Sequence, residues 1–492
     1  MKRLGLKFIC LAILIPTINC YAQESSPNAT VYEAKAFGSA ASGDNTPFWM
    51  TSNQYGVVPL NANNGYLSAA VYHNQAFGKG FHWGAGLNAI AAVPRYRNVF
   101  IQQLYAEIGY KCLLLTIGSK EQYTSLVNPR LSTGDVLLSN NARPIPAVNI
   151  SIPHFTVIPG TKGWLQVKGD FAVGRSFDTD YLEHFAKKGQ VYVKNVLWHH
   201  KTGYLRIQDT HNHFPLWATL GLEHVAQWGG TSTNPAIGEQ PHSFKDFLRI
   251  VAGQKGGKDA TISDQINVLG NHHIAYVFEL GYTQKNWALR GYHQHLSSDK
   301  SGMEFYNGAD GLWGLQVDLP HFPWVSKVLV EYFTTTNQSG PFHYITFDHD
   351  KHPGRGGGGD NYYNNGEYIT GHSYFNRGIG SALVPAPEYN ADGSLGFKNN
   401  RVRDWHIGME GNLSSQVTYR VLFTWMNGWG TPMKPLLKKR EGTSFLADVT
   451  YTHPRLAGWT FTGTFAGDTG DVVGKSIGAS LTVSKRGLLK AW

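Results

Sequence analysis

The sequence predicts an all-β chain folded as a transmembrane antiparallel β-barrel of about 16 to 18 strands, eighteen favoured, with short helical plug or loop elements. Three observations carry this. Charged residues make up 16% of the chain, below the roughly 25% of a soluble domain, while aromatics reach 13% and glycines number 56. Apolar and polar residues alternate through the C-terminal third. The connections between alternating runs are short and long by turns, as in a barrel with one plain rim and one elaborate rim.

Taken in order, the chain opens MKRLGLKFICLAILIPTINCYAQE. Lys2, Arg3 and Lys7 precede an apolar run from Phe8 to Pro16, and Cys20 and Ala22 are small residues at the cleavage positions. Residues 1–22 are therefore read as a signal peptide and residues 23–492 as an outer-membrane barrel with long extracellular loops. A lipoprotein joined through Cys20 is the alternative, for which Thr17-Ile18-Asn19 is a poor lead-in. Three of the positive charges behind the formal net charge of +9 leave with the signal. The remainder are scattered, which excludes a nucleic-acid-binding surface. Only Cys112 of the three cysteines lies beyond Ala22, so no internal disulfide is expected. No later stretch has the roughly 18 apolar residues of a membrane helix, and composition favours the barrel over a soluble periplasmic domain.

Short turns are expected at 77–80, 109–111, 200–203, 283–286, 320–323, 413–416 and 453–458, and long loops at about 43–65, 119–147, 229–271, 297–311, 335–403 and 427–443. One long loop carries a helix signal. In SFKDFLRIVAGQKGG, Ser243 caps, Asp246 follows three residues later, Phe244, Phe247, Leu248 and Val251 keep the helical spacing, and Gly253 ends it. This helix is expected to fold inward or lie across the mouth and help occlude the barrel. The last strands are the clearest. Trp405, Ile407 and Met409 oppose His406, Gly408 and Glu410; Val417, Tyr419, Val421, Phe423 and Trp425 oppose Thr418, Arg420, Leu422 and Thr424; Ile477, Ala479, Leu481 and Val483 alternate with Gly478, Ser480, Thr482 and Ser484. Charged Glu410, Arg420 and Asp448 fall opposite the aromatics, as expected for a wet lumen.

Four stretches carry a family resemblance: TPFWMTSNQYGVVP (46–59), NNARPIPAVNISIPHFTVIPG (140–160), HVAQWGGTS (224–232) and DNYYNNGEYITGHSYFNRGIGSAL (360–383). Together they resemble the Wzi capsule-assembly proteins of Gram-negative outer membranes. The resemblance implies an 18-stranded barrel closed by helical elements, with a lectin-like surface that helps attach capsular polysaccharide or exopolysaccharide to the cell. The chain departs from the pattern in having no clear N-terminal helical bundle.

The expected partners are thus polysaccharide and outer-membrane lipid, with a monomeric barrel, no catalytic residues, no cofactor and no metal. Candidate glycan-binding residues are the loop aromatics beside amide and carboxylate groups: Trp49, Asn53, Tyr55, Trp228, Asp360, Asn361, Tyr362, Tyr363, Asn364, Tyr368 and Tyr374. Ring faces suit the CH faces of sugars, and amides suit their hydroxyls. GGGGDNYYNNGEY (356–368) is expected to be an extracellular loop presenting Tyr362, Tyr363 and Tyr368. The alternatives are a porin-like channel and a barrel lipid hydrolase built on His293, His295 and Ser297, for which no acidic partner can be assigned. Asp348, His349, Asp350, His352 and Asp360 could hold a cation, but their spacing fits no standard site.

Overall fold

Eighteen strands close into one antiparallel barrel in the computed structural model, which describes residues 28–43, 45–341 and 358–492. The signal peptide and the candidate cation residues from Asp348 to His352 lie outside the described residues. The strands are β1 Ala29–Ser42, β2 Asn64–Phe77, β3 Phe81–Val93, β4 Val99–Tyr110, β5 Leu113–Ser119, β6 Ala147–Val157, β7 Leu165–Arg175, β8 Leu197–Gln208 and β9 Leu216–Trp228. They continue as β10 Asn271–Thr283, β11 Ala288–Ser297, β12 Gly311–Asp318, β13 Lys327–Thr334, β14 Arg403–Asn412, β15 Val417–Gly430, β16 Pro435–Thr452, β17 Trp459–Gly470 and β18 Ser476–Ala491. Each pairs with its sequence neighbours, and β18 returns to β1 with Ile477 opposite Ser42 and Ala491 opposite Ala29, so the sheet closes on itself.

Alternation sets the two faces as expected. Trp405, Trp425, Leu481 and Ile477 point outward and are exposed, while His406, Thr424, Ser444 and Asp468 point inward and are buried. Two expected connections are not connections. Residues 200–203 lie inside β8, where His-Lys-Thr-Gly reads as a turn by composition but is held by ladders on both sides. Residues 427–443 belong to β15 and β16, which run long and meet at a turn over Thr431–Lys434.

The lumen is filled by the long loops. Segment 120–146 descends along the wall and is tied to it by carboxylates. Glu331 accepts from Ser132 Oγ at 2.6 Å and from the Thr133 N–H at 2.7 Å, Asp135 accepts from Gln294 Nε2 at 2.6 Å, and His406 Nε2 donates to the Leu131 carbonyl at 2.7 Å. The short helix α1, Phe48–Thr51, adds Trp49, whose Nε1 donates to Thr424 Oγ1 at 2.9 Å. Leu131, Val136, Leu137, Trp49, Tyr362 and Tyr363 form one apolar cluster with the inward wall residues Leu296, Leu312, Leu329, Phe333 and Leu446. Buried polar groups in this plug find partners on the wall, which is what allows a loop-rich segment to sit away from water.

The expected helix is present. Helix α3, Phe244–Ala252, following the seven-residue α2 over Thr179–Phe185, has Ser243 and Asp246 in a capping box, with Gly253 left-handed at its end. Its place corrects the expectation. It does not occlude the lumen, because Phe247 packs on Phe171, His199 and Trp228, all on the outward faces of β7 to β9.

Candidate functional site

A gap in the wall positions the site. The β4–β5 ladder begins only at Leu104 opposite Ser119, so Val99 to Gln103 are paired with β3 on one side and have no strand on the other. A bulge between β3 and β4 turns both Gln102 and Gln103 inward. Arg143 covers the open edge, donating Nη2 to the Ile101 carbonyl at 2.8 Å and Nε to Gln102 Oε1 at 3.2 Å. Above this edge, on the rim that carries the long loops, lies a cleft of about 850 Å³.

Its walls come from the 56–61 and 94–97 loops, the start of β4 from Val99 to Leu104, α2 with Phe177 before it, the 118–146 segment and the 374–388 segment. The lining alternates rings and guanidinium groups. Phe100 lies between Arg95 at 4.4 Å and Arg143 at 4.5 Å from its ring centre, and Arg143 also covers Phe375 at 4.5 Å. Tyr181 packs on Phe375, Phe185 and Tyr96 with centroid separations of 5.5, 5.8 and 5.9 Å. Cation–π contact draws the guanidinium groups over the rings and keeps them partly desolvated.

Charge in the cleft is unbalanced. Arg97 pairs with Asp180 at 2.6 Å and Arg377 with Glu388 at 3.0 Å. Arg95 and Arg143 form no ion pair among the described residues and are held by backbone carbonyls and an amide. Burial, together with the Arg143 and Arg377 charges, pushes the Arg95 guanidinium down to about 9. An anion would relieve that repulsion.

Phe375 is held in an unusual backbone state. Ser373–Tyr374 pairs with Arg377–Gly378, leaving Phe375 and Asn376 as a two-residue hairpin turn with φ of 51° and 58°. Such a turn needs positive φ at both positions and favours Asn-Gly. Asn376 fits; a phenylalanine there costs about 1 to 2 kcal/mol. The Phe375 N–H donates to Asp178 at 3.2 Å, and burial raises that carboxyl to about 6.

Of the residues expected from sequence, Tyr374 alone lines this cleft. Tyr362, Tyr363 and Tyr368 do not face solvent, with exposures of 0%, 1% and 2%. The Tyr362 hydroxyl accepts from Asn307 at 2.7 Å, while Tyr363 donates to the Val136 carbonyl at 2.7 Å and Tyr368 to the Gly229 carbonyl at 3.2 Å. The expected surface loop is therefore part of the plug, and its rings cannot stack on an external sugar in this arrangement. Asp360 is buried and accepts from Ser339 at 3.0 Å, and Asn361 accepts from Asn364 and Asn400. Trp49 is in the plug core and Trp228 lies under α3. Asn53 and Tyr55, both half-buried, brace the 120–146 segment through Ser132 and Asn140. The hydrolase residues are also apart in bonding: His295 Nε2 donates to the Gly302 carbonyl at 3.0 Å and Ser297 Oγ points at the Ile274 carbonyl at 3.5 Å. Among the described residues no cluster of three metal-ligating side chains occurs. Sequence reasoning missed Arg95, Tyr96, Arg97, Arg143, Tyr181 and Phe375. The run PRYRN (94–98) was the available signal, a short loop dense in guanidinium and ring groups.

Comparison with known proteins now bears on these features. The model of the family described as capsule assembly protein Wzi matches residues 21–388. The solved Wzi of Escherichia coli, described as an outer-membrane carbohydrate-binding β-barrel involved in group 1 capsule assembly, superposes with a TM-score of 0.56 at 12% identity. The match covers 92% of this chain and 83% of that one. Pseudomonas aeruginosa OprD and OpdO superpose at TM-scores of 0.46 and 0.47, each at 10% identity, covering 95% and 94% of this chain and 98% and 97% of theirs. No curated protein sequence matches the chain. With the family model spanning most of its length on an 18-stranded outer-membrane barrel, this chain belongs to the Wzi capsule assembly family.

Proposed function

We propose that the aromatic and arginine-lined cleft binds a capsular or extracellular polysaccharide at the cell surface and holds it there without changing it chemically. One observation carries this: a bulky ring is kept at Phe375, where the backbone favours asparagine or glycine, and that ring forms the cleft wall against Arg143 and Tyr181. Strain retained at a residue that faces a cleft points to use of its side chain. Flat rings suit the CH faces of sugars, and the exposed Tyr96 at the mouth extends the platform outward. The description of E. coli Wzi as carbohydrate-binding supports the same reading.

The unpaired charges of Arg95 and Arg143 favour a glycan that carries carboxylates, because each guanidinium has five N–H donors in a planar fork and the protein uses two of them. Among the sequence candidates, Tyr374 serves in the cleft wall, while Trp49, Tyr362, Tyr363 and Tyr368 serve by fixing the plug that supports it. Weak contact with each sugar unit becomes retention when many copies engage one polymer. The test compares cell-bound with shed polysaccharide after the gene is deleted and restored as the parent or as Arg143→Ala. Restoration by the parent and persistent shedding with Arg143→Ala, at equal surface level, is the expected outcome. Equal retention by both would remove the cleft from the reading.

A further inference from the structure

The outer wall carries polar residues where lipid should be. On β8 the outward positions run His199, Lys201, Gly203, Leu205 and Ile207, and on β9 they run Leu220, Leu222, His224, Ala226 and Trp228. Next to these, His272 begins the outward row of β10, followed by Ile274 and Tyr276. Other strands place Trp313, Trp405 and Trp425 outward and exposed in their long-loop halves, the belt expected where a barrel meets lipid headgroups.

Segment 229–270 covers the polar patch. Helix α3 lies over it with Ile250 fully buried in a cluster with Ala226, Trp228, Ala260 and Leu269. Each histidine is bonded inside through at least one ring nitrogen, while His199 Nε2 and His224 Nδ1 are buried with no partner among the described residues. His272 Nε2 donates to the Leu269 carbonyl at 2.7 Å, which leaves its Nδ1 to accept from His224 Nε2 at 2.7 Å, and His199 Nδ1 donates to the Ala172 carbonyl at 2.9 Å. Lys201 donates to the Val251 carbonyl in the last turn of α3, where a cation opposes the helix dipole.

The opposite face of the helix is uncovered and carries Phe244 and Leu248, with Lys245 at its edge. Phe244 is 75% exposed and Leu248 is 51% exposed, one turn apart, and Ile262 at the start of the next short helix is 76% exposed. A soluble loop on an aqueous surface gains nothing from three such side chains. A helix whose inner face rests on the outward side of β7 to β9 has its outer face toward the medium that surrounds the barrel wall.

We infer that α3 is an amphipathic helix seated in the outer leaflet, with Phe244, Leu248 and Ile262 among lipid acyl chains. The helix replaces the polar wall of β8 to β10 by an apolar one and so completes the hydrophobic belt. Over the rim it is tied to the plug, because Thr261 donates to Glu367 and Tyr368 to Gly229.

The experiment attaches a nitroxide to Leu248→Cys and, separately, to Ile262→Cys, with Lys434→Cys in the exposed β15–β16 turn as the aqueous reference. Each variant is placed in vesicles of phosphatidylethanolamine and phosphatidylglycerol, after heat-modifiability verifies its barrel. Collision with oxygen relative to a water-soluble nickel complex is then measured by power saturation. The ratio is expected to be several-fold higher at positions 248 and 262 than at 434. A ratio equal to that at 434 would put the helix in water, and inaccessibility to both reagents would mean a protein contact; either result overturns the inference. The two positions guard against one variant failing to fold.

Discussion

At Tyr362 and Phe375 the same residue type, a loop aromatic, does opposite work. The Tyr362 ring is wholly buried and its hydroxyl is bonded to Asn307, so Tyr362→Ala leaves a cavity and takes from the Asn307 amide one of its two acceptors, the Leu296 carbonyl remaining. It should cost about 3 to 5 kcal/mol, read as a lowered unfolding midpoint, with loss of polysaccharide following only from loss of fold. Phe375 sits in a left-handed turn. Phe375→Asn should leave stability unchanged or raise it by about 1 kcal/mol, while weakening polysaccharide binding. A variant that gained stability and kept full binding would show the ring to be idle. This contrast was not legible in the sequence, because a surface loop and a plug inside a wet lumen share the composition of glycine, asparagine and tyrosine. What separates them is the wall opposite, and Val136, Leu296 and Asn307 are brought there only by closure of the barrel.

Elements were more legible than their placement. The strands of the last third follow from period-2 alternation, and α3 follows from Ser243, Asp246 and Gly253 with nothing further needed. Its seat on the outer wall does not follow, since a stripe of Phe247 and Ile250 fits a lumen as well as a lipid-facing sheet. The 200–203 and 427–443 errors share one cause: polar residues inside a strand, or beyond the membrane on a long strand, look like connections. The segment beneath α3 yields a pH test. Burial and the Glu367 charge raise the Asp264 carboxyl to about 7, and that carboxyl accepts the Gly270 N–H at 2.8 Å. Between the ordinary carboxylate range near 4 and about 7, the folded segment holds a proton that the opened one releases, so its stability falls as pH rises through that window and is flat above it. Amide protection around Leu269 and Gly270 should therefore decline from pH 5 to pH 8 after correction for intrinsic exchange, and Asp264→Asn should remove the decline.

For the whole molecule, the packed lumen and the open cleft make separate claims. With segments 120–146 and 358–402 anchored to the wall, the barrel should pass little current in a planar bilayer, and large steady openings would favour the channel reading. The central claim is that the rim cleft beside the β4 edge holds polysaccharide, and direct binding tests it. Purified parent, Phe375→Asn and Arg143→Ala proteins, each verified as a heat-modifiable barrel in detergent, would be titrated with the host's own purified capsular polysaccharide in biolayer interferometry. Loss of one ring contact corresponds to about 0.5 to 1.5 kcal/mol, taking the range for aromatic pairs, so each variant should bind several-fold more weakly than the parent, and the parent's binding should weaken as salt is added. Parent-like binding by both variants, independent of salt, would contradict the account.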